Sequence, residues 1–318
     1  MKTFYWLVKR EFWEHRGGFF TAPLVAGIIA LVLNAMAIVT AEVFGRRAMS
    51  DTHFHSNFER AFDQSDLIQA GAVLDATLYG VATVILCVTA IVVFFYCLGA
   101  LYDDRRDRSI LFWKSLPLSD TSTVLSKVAS AALLAPAISI VIGVIAGLLL
   151  IVIIAIAGTF HGVSIWNMLM EAHPFRVVFN MVLLLPLYAL WALPTLGWLL
   201  LCSAWARSKP FLWAIALPLG AGVIVSWFGL MGFAGLSTSW FWKNIVGRML
   251  GSLVPGGWVG NASPLVLPSH NDPAGLINSL DLSYHYSSLA SPSVWIGAVA
   301  GVVMIAGAVW FRRWRDDS

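Results

Sequence analysis

The sequence predicts an all-α polytopic membrane protein: six transmembrane helices, an N-terminal interfacial elbow helix, and a short cytoplasmic helix between spans two and three. Three observations carry this. Apolar residues make up 59% of the 318 and charged residues 12%, about half of the roughly 25% that a water-soluble domain carries. Several apolar runs exceed the ~20 residues that a spanning helix needs. Lys and Arg gather in short segments between those runs, which gives the chain an orientation.

The chain opens with TFYWLVKREFWEHRGGFF, residues 3–20. Mixed charges and aromatics here are unlike the basic tip and short apolar core of a cleavable signal peptide. On a helical wheel Phe4, Tyr5, Val8 and Phe12 share one arc, Arg10, Glu11 and Glu14 take the opposite side, and Trp6 and Trp13 flank them. Leu7 and His15 fall on the wrong sides. The pattern predicts an elbow helix within 1–18 that lies in the interface through Tyr5, Trp6, Arg10, Phe12 and Trp13. Gly17-Gly18 would let the chain bend into the membrane. Such a helix serves as a juxtamembrane anchor or as a clamp on a partner.

Spans follow at about 21–43, 72–101, 124–157, 177–206, 211–235 and 293–311, within a single transmembrane domain over 1–318. The second and third outrun the bilayer and should tilt or project. Cys87, Cys97 and Cys202 lie inside apolar runs, with no disulfide or zinc spacing, and act there as small hydrophobes. One side of the membrane receives fourteen of the twenty Lys and Arg residues: those of the N-terminus, the 102–123 loop, Lys127, the 207–210 turn and the C-terminus. Positive residues stay inside, so both termini are expected in the cytoplasm; the expected setting is a bacterial inner membrane. The loops 44–71 and 236–292 are then external. Within the second, Trp240 to Leu253 reads as an interfacial helix, because Trp240, Trp242, Ile245 and Leu250 alternate with Lys243 and Arg248. No internal repeat supports an inverted-repeat transporter.

The densest charge sits in GALYDDRRDRSILFWKSLPLSD, residues 99–120. Asp104/Arg108 and Asp103/Arg106 are spaced to support a helical turn. The helix should reach Leu116, where Pro117 ends it, and Ser119 or Asp120 can cap the next span. Ile110, Leu111, Trp113 and Leu116 are apolar residues ringed by charge, a pattern that marks contact surfaces.

These residues resemble the ABC-2 type permeases of ABC transporters. In that family an acidic and Arg-rich segment after the second span precedes Gly-Thr-Leu and then Leu-Pro-hydrophobic-Ser. Here Asp104-Arg105-Arg106, Ser109-Ile110 and Leu116-Pro117-Leu118-Ser119 take those places, with Arg108 where glycine is usual. The motif covers about seventeen residues; the layout of six spans, an aromatic N-terminal segment and a large loop between spans five and six covers nearly the whole chain. The resemblance implies a dimeric exporter permease, two identical chains rather than two different ones, with two copies of a separate ATP-binding cassette subunit. That subunit would carry ATP and Mg and perform the hydrolysis. This chain has no G-x-x-x-x-G-K-[ST] phosphate loop, so it is expected to bind no cofactor or metal of its own and to be no enzyme. The loop would dock on the ATPase as a coupling helix, through Asp104, Arg105, Arg106 and Lys114 by polar contacts and through Ile110, Leu111, Trp113, Leu116 and Pro117 by apolar ones. The remaining partner is the lipid bilayer; nucleic acid is not expected. A loop held at the headgroups by its arginines is the plain alternative. The cargo leans toward an amphipathic, lipid-like or peptide molecule.

Asn34 and Asp75 are possible intramembrane polar sites. Asn34, with Thr83, is expected to bond across helices, and Asp75 to reach the outer interface. Gly143-x-x-x-Gly147 and Gly297-x-x-x-Gly301 permit close helix packing or a dimer seam. His53 and His55 with Asp51 could hold a metal, or simply be solvated. Asn261-Ala262-Ser263 matches a glycosylation acceptor. Pro186 and Pro194 could kink span four. A membrane-embedded enzyme would need convergent acids and bases, but Glu42, Asp75, His161 and Glu171 are scattered along the sequence. An ion-coupled secondary transporter would need midplane charges, and the six spans carry almost none.

Overall fold

The computed structural model describes residues 2–49, 64–107, 119–160, 169–231, 237–261 and 281–314. Every regular element among them is helical. Six helical stretches are long and apolar enough to cross a membrane: Gly17–Thr40, Ile68–Arg106, Asp120–Thr159, Leu169–Trp205, Pro210–Leu230 and Pro292–Trp314. This is a multi-pass membrane protein. The helices, in chain order, are α1 (Lys2–Glu14), α2 (Ala22–Met49), α3 (Gln64–Gly99), α4 (Tyr102–Arg106), α5 (Asp120–Ala129), α6 (Ala135–Phe160), α7 (Pro174–Trp205), α8 (Pro210–Leu230), α9 (Thr238–Phe241), α10 (Gly247–Gly251), α11 (Leu282–Ser287) and α12 (Pro292–Trp314).

Helix α7 is the hub. It pairs most extensively with α12 and also touches α3, α6, α8, α10 and α11. Its inner face, including Leu187, Trp191, Ala192, Leu196, Leu199 and Leu200, forms the main core with Ile305 and Ala308 of α12 and with Val93 and Cys97 of α3. Pro186 and Pro194 lie within α7, which the helix assignment carries unbroken through both.

Small residues set the closest crossings. A Cβ on Gly143 would come within 2.7 Å of Ala82 Cα, and one on Gly147 within 3.2 Å of Leu78 Cα, so α6 lies directly on α3. A Cβ on Gly301 would meet the Leu193 carbonyl at 2.5 Å, and one on Gly197 would meet the Gly301 oxygen at 2.5 Å. Both G-x-x-x-G pairs are therefore used inside one chain. Packing of backbones is what holds helices together where lipid is as apolar as the side chains.

Three one-turn π-helices interrupt the α pattern, at Gly17–Thr21, Ser130–Leu134 and Trp242–Val246. The first corrects the expectation of a flexible glycine bend. Gly17 and Gly18 are helical, and Gly18 is small because Val92 of α3 lies where its Cβ would be. The wide turn carries Phe19 into the core against Tyr96, ring centroids 4.9 Å apart.

Ser119 is the N-cap of α5: its hydroxyl accepts the Ser122 N–H at 3.1 Å. Ser119→Ala should cost about 1 kcal/mol, read as a lower unfolding midpoint in detergent. Asp120, the other cap named from sequence, is instead the first residue of α5.

Asn34 and Thr83 do not bond across helices. Asn34 donates to Ala30 O and Thr83 to Tyr79 O, each within its own helix. An unpaired polar group in an apolar helix satisfies itself most cheaply with the carbonyl one turn back. Between α3 and α6 a polar pair does form, Thr89 with Ser139.

Candidate functional site: a charge clasp at the terminal face

Glu11 and Arg312, near the two ends of the chain, meet in one network, so both described ends reach the same face of the bundle. We call it the terminal face. The network forms because its helices end or begin there and turn polar side chains inward: Glu11 of α1, Tyr96 of α3, Asp104 of α4, Asp120 and Lys127 of α5, and Arg312 of α12.

Helix α1 supplies Glu11. The wheel placed it opposite the apolar arc, and the structure reverses that side. Leu7 and Glu11, one turn apart, are the buried pair, while Tyr5, Trp6 and Trp13 are exposed. Phe12 is half-buried against the main core, and Arg10 bonds Glu11 and Glu14. Leu7 on the "wrong" side was the signal for this face: its i+4 neighbour is Glu11. Lys9 lies over the Trp6 ring at 4.7 Å, a cation–π contact suited to the headgroup region.

The Glu11 carboxylate is 1% exposed, so it needs partners. It accepts the Tyr96 hydroxyl at 2.8 Å, and Lys127 Nζ stands 3.2 Å and Arg10 Nη2 2.9 Å from its other oxygen. Lys127, 2% exposed, also reaches Asp104 at 3.5 Å. Asp104 is shared with Arg312 Nη1 at 3.2 Å, and Arg312 Nε reaches Asp120 at 3.1 Å. Three carboxylates thus face three cations, and α1, α3, α4, α5 and α12 are tied together. Glu11, Glu14 and His15 could in geometry offer a metal three ligands. Glu11 is already committed to two cations and a hydroxyl, which makes this trio part of the clasp.

The start of the charged loop is anchored a second time. Leu101 and Tyr102 N–H both donate to Ser203 Oγ at 3.0 Å, and Arg105 donates to the carbonyls of Ser203 at 2.6 Å and Ala206 at 3.0 Å. Arg105 therefore closes the C-terminal end of α7, where carbonyls lack helical partners. The residues named from sequence thus separate. Asp104 and Arg105 face the bundle, whereas Arg106 is exposed and makes no ion pair with a described residue. The Asp103/Arg106 pairing does not form, and Asp103 too is exposed. Helix α4 is described only to Arg106. Ile110, Leu111, Trp113, Lys114, Leu116 and Pro117 lie outside the described residues, as do His53, His55, His161 and Ser263.

At the opposite end, Asp75 of α3 accepts the His173 N–H at 3.0 and 3.1 Å and so caps the start of α7. It lines a small cavity with Glu171, His173, Arg176 and Asn180. Asp75 and Glu171, far apart in sequence, are brought together, contrary to the scattered reading. The contact requires Gly71, whose Cβ would meet the Glu171 backbone at 2.8 Å.

Sequence reasoning missed Glu11, Tyr96, Asp120 and Arg312 as members of the terminal site, and used Lys127 only for orientation. It also missed Arg248. The 238–251 stretch is helical as expected but is not a surface helix. Arg248 is 8% exposed, and its carbonyl accepts from Thr195 at 2.8 Å, while Leu253 O accepts from Tyr188 at 3.0 Å. Trp242 fills the notch at Gly222 and donates to Ser226. These hydrogen bonds and the glycine notch draw the segment inward against α7 and α8. No protein-family model, curated protein or solved structure matches this chain.

Proposed function

We propose that this chain is the membrane subunit of an ATP-driven exporter of the ABC-2 type, working as a pair with two separate ATP-binding subunits docked on the 102–123 loop. The observation that supports this reading best is the clasp at the base of that loop. Asp104 is bonded to α5 and α12, and Arg105 to the end of α7. A force on the loop would therefore reach three of the membrane spans through rigid contacts rather than be absorbed by a slack linker, which is the requirement for coupling two sites mechanically.

The roles then divide. Asp104 and Arg105 act as the transmission, and Arg106, exposed, joins Lys114 and the apolar residues 110–116 as the contact with the ATPase. Both termini would face the cytoplasm, in agreement with the distribution of Lys and Arg. The exposed aromatics of α1 hold the elbow at the headgroups on the same side.

The double variant Leu111→Asp, Trp113→Asp tests the docking. Burying two carboxylates in an apolar contact should reduce co-purification of the ATPase subunit at least tenfold, with the permease still folded. An intact complex that hydrolyses ATP normally in the variant would sink the docking assignment.

A further inference from the structure

Residues 238–257 double back into the bundle rather than rest on it. Trp191, which this segment touches, lies fourteen residues from Trp205 along α7, about 21 Å at 1.5 Å per residue. Measured from the Trp205 end, that is about two-thirds of the way through a hydrocarbon layer of about 30 Å, still inside it. The loop therefore carries a cation, Arg248, to a level where the six spans supply almost no charge.

No described residue gives Arg248 a counter-charge there. Its guanidinium stacks on Trp191, 3.6 Å from the ring centroid, and Nε, Nη1 and Nη2 are all buried without a hydrogen-bond partner among the described residues. The indole N–H of Trp191 is buried and likewise has no partner among the described residues. Both residues line a cavity of about 270 Å³ together with Lys243, Ser252 and several glycines, and no carboxylate is on its described wall. A buried unpaired guanidinium is costly; Arg248 and Trp191, whose orphaned donors lie just behind this wall, call for a single acceptor-rich guest, met by turning the guanidinium away from its packing against Gly297. The volume exceeds several waters at ~30 Å³ each.

We propose that this cavity binds a phosphate group, held by Arg248, Lys243 and the Trp191 indole N–H. A tetrahedral oxyanion presents several acceptors at once, as this donor set requires. The phosphate can belong to the headgroup of an anionic amphiphile or be free in solution, and Trp191 beneath the guanidinium fixes the plane of the fork in both cases. The assignment stands apart from the ATPase reading, since it concerns the other half of the molecule.

The test uses the full chain in a maltoside detergent, which lacks phosphate. Phosphatidylglycerol, inorganic phosphate and a diacylglycerol with the same tails are titrated separately, with thermal midpoint and lipid retention in native mass spectrometry as readouts. Three variants are compared: Arg248→Gln, Lys243→Gln and Gly251→Leu. Gly251 is suited to blocking the cavity, because it lines the wall and a Cβ there meets nothing within 4 Å. Phosphatidylglycerol should raise the midpoint of the native chain, and the apparent affinity should fall about tenfold or more in Arg248→Gln and Gly251→Leu. A response to inorganic phosphate as well assigns the site to the free anion; a response to phosphatidylglycerol alone assigns it to a headgroup. If Arg248→Gln does not fold, Lys243→Gln and Gly251→Leu decide. No response to either phosphate probe, an equal response to diacylglycerol, or affinities unchanged in the variants would overturn the proposal.

Discussion

Glu11→Ala should lower the unfolding free energy by about 3–5 kcal/mol, the largest effect of any single substitution on the terminal face. The reasoning is one of uncompensated charge. The carboxylate is 1% exposed and stands beside Lys127, itself 2% exposed. Removing it leaves the ammonium with Asp104 alone at 3.5 Å, removes the acceptor of the Tyr96 hydroxyl and opens space beneath α1. Each loss falls where water cannot repair it. The double variant Glu11→Met, Lys127→Met separates charge from shape: it buries apolar groups of similar length, and most of the loss should return. A thermal unfolding series in detergent reads both. Were the double variant as unstable as Glu11→Ala, cavity formation rather than charge would govern the site. Under the proposed function, ATP-driven transport should fail in the double variant even so, because Asp104 then retains Arg312 but loses its link through Lys127 to α1.

Gly301→Leu should destabilise by about 3 kcal/mol or more, at the upper end for overpacking. Its Cβ would meet the carbonyl carbon and oxygen of Leu193 at 2.5 Å, and backbone has no rotamer by which to move aside. Relief requires α12 to separate from α7, which breaks the most extensive helix pairing among the described residues. It would also disturb Gly197, whose own Cβ position lies 2.5 Å from the Gly301 oxygen. Gly80→Ala and Gly220→Ala are matched controls in α3 and α8. A Cβ at either meets nothing within 4 Å, so each should be neutral or stabilising by up to about 1 kcal/mol. Thermal midpoints for the three variants give the comparison. Equal midpoints would mean that the glycines matter as flexible points and not as contact surfaces.

The gap between sequence and structure is clearest at residues that charge alone misplaces. Glu11 reads as a solvent residue on a wheel because a wheel knows only hydrophobicity, and the burial of a carboxylate depends on cations that other helices bring. Lys127 and Arg312 sit 116 and 301 residues from it in the chain and on the network, and no local pattern reveals that they meet. Asp75 and Glu171 reach one cavity for a similar reason, through the close approach that Gly71 allows. Arg248 is the strongest instance. A survey of the six apolar runs finds almost no charge, yet a charge arrives from a loop that the apolar count does not include.

What the sequence by itself determined is the class, the number of membrane helices and the one-sidedness of the charge. These follow from the cost of exposing backbone and charge to lipid, a local property that each run of about twenty residues declares alone. The Ser119 cap was legible for the same reason, since its partner is three residues away. Tertiary structure decided which polar residues turn inward, where the two G-x-x-x-G pairs are used, and that the 238–251 helix enters the bundle. Those outcomes rest on contacts between residues distant in the chain, whose energies exist only once the helices have packed.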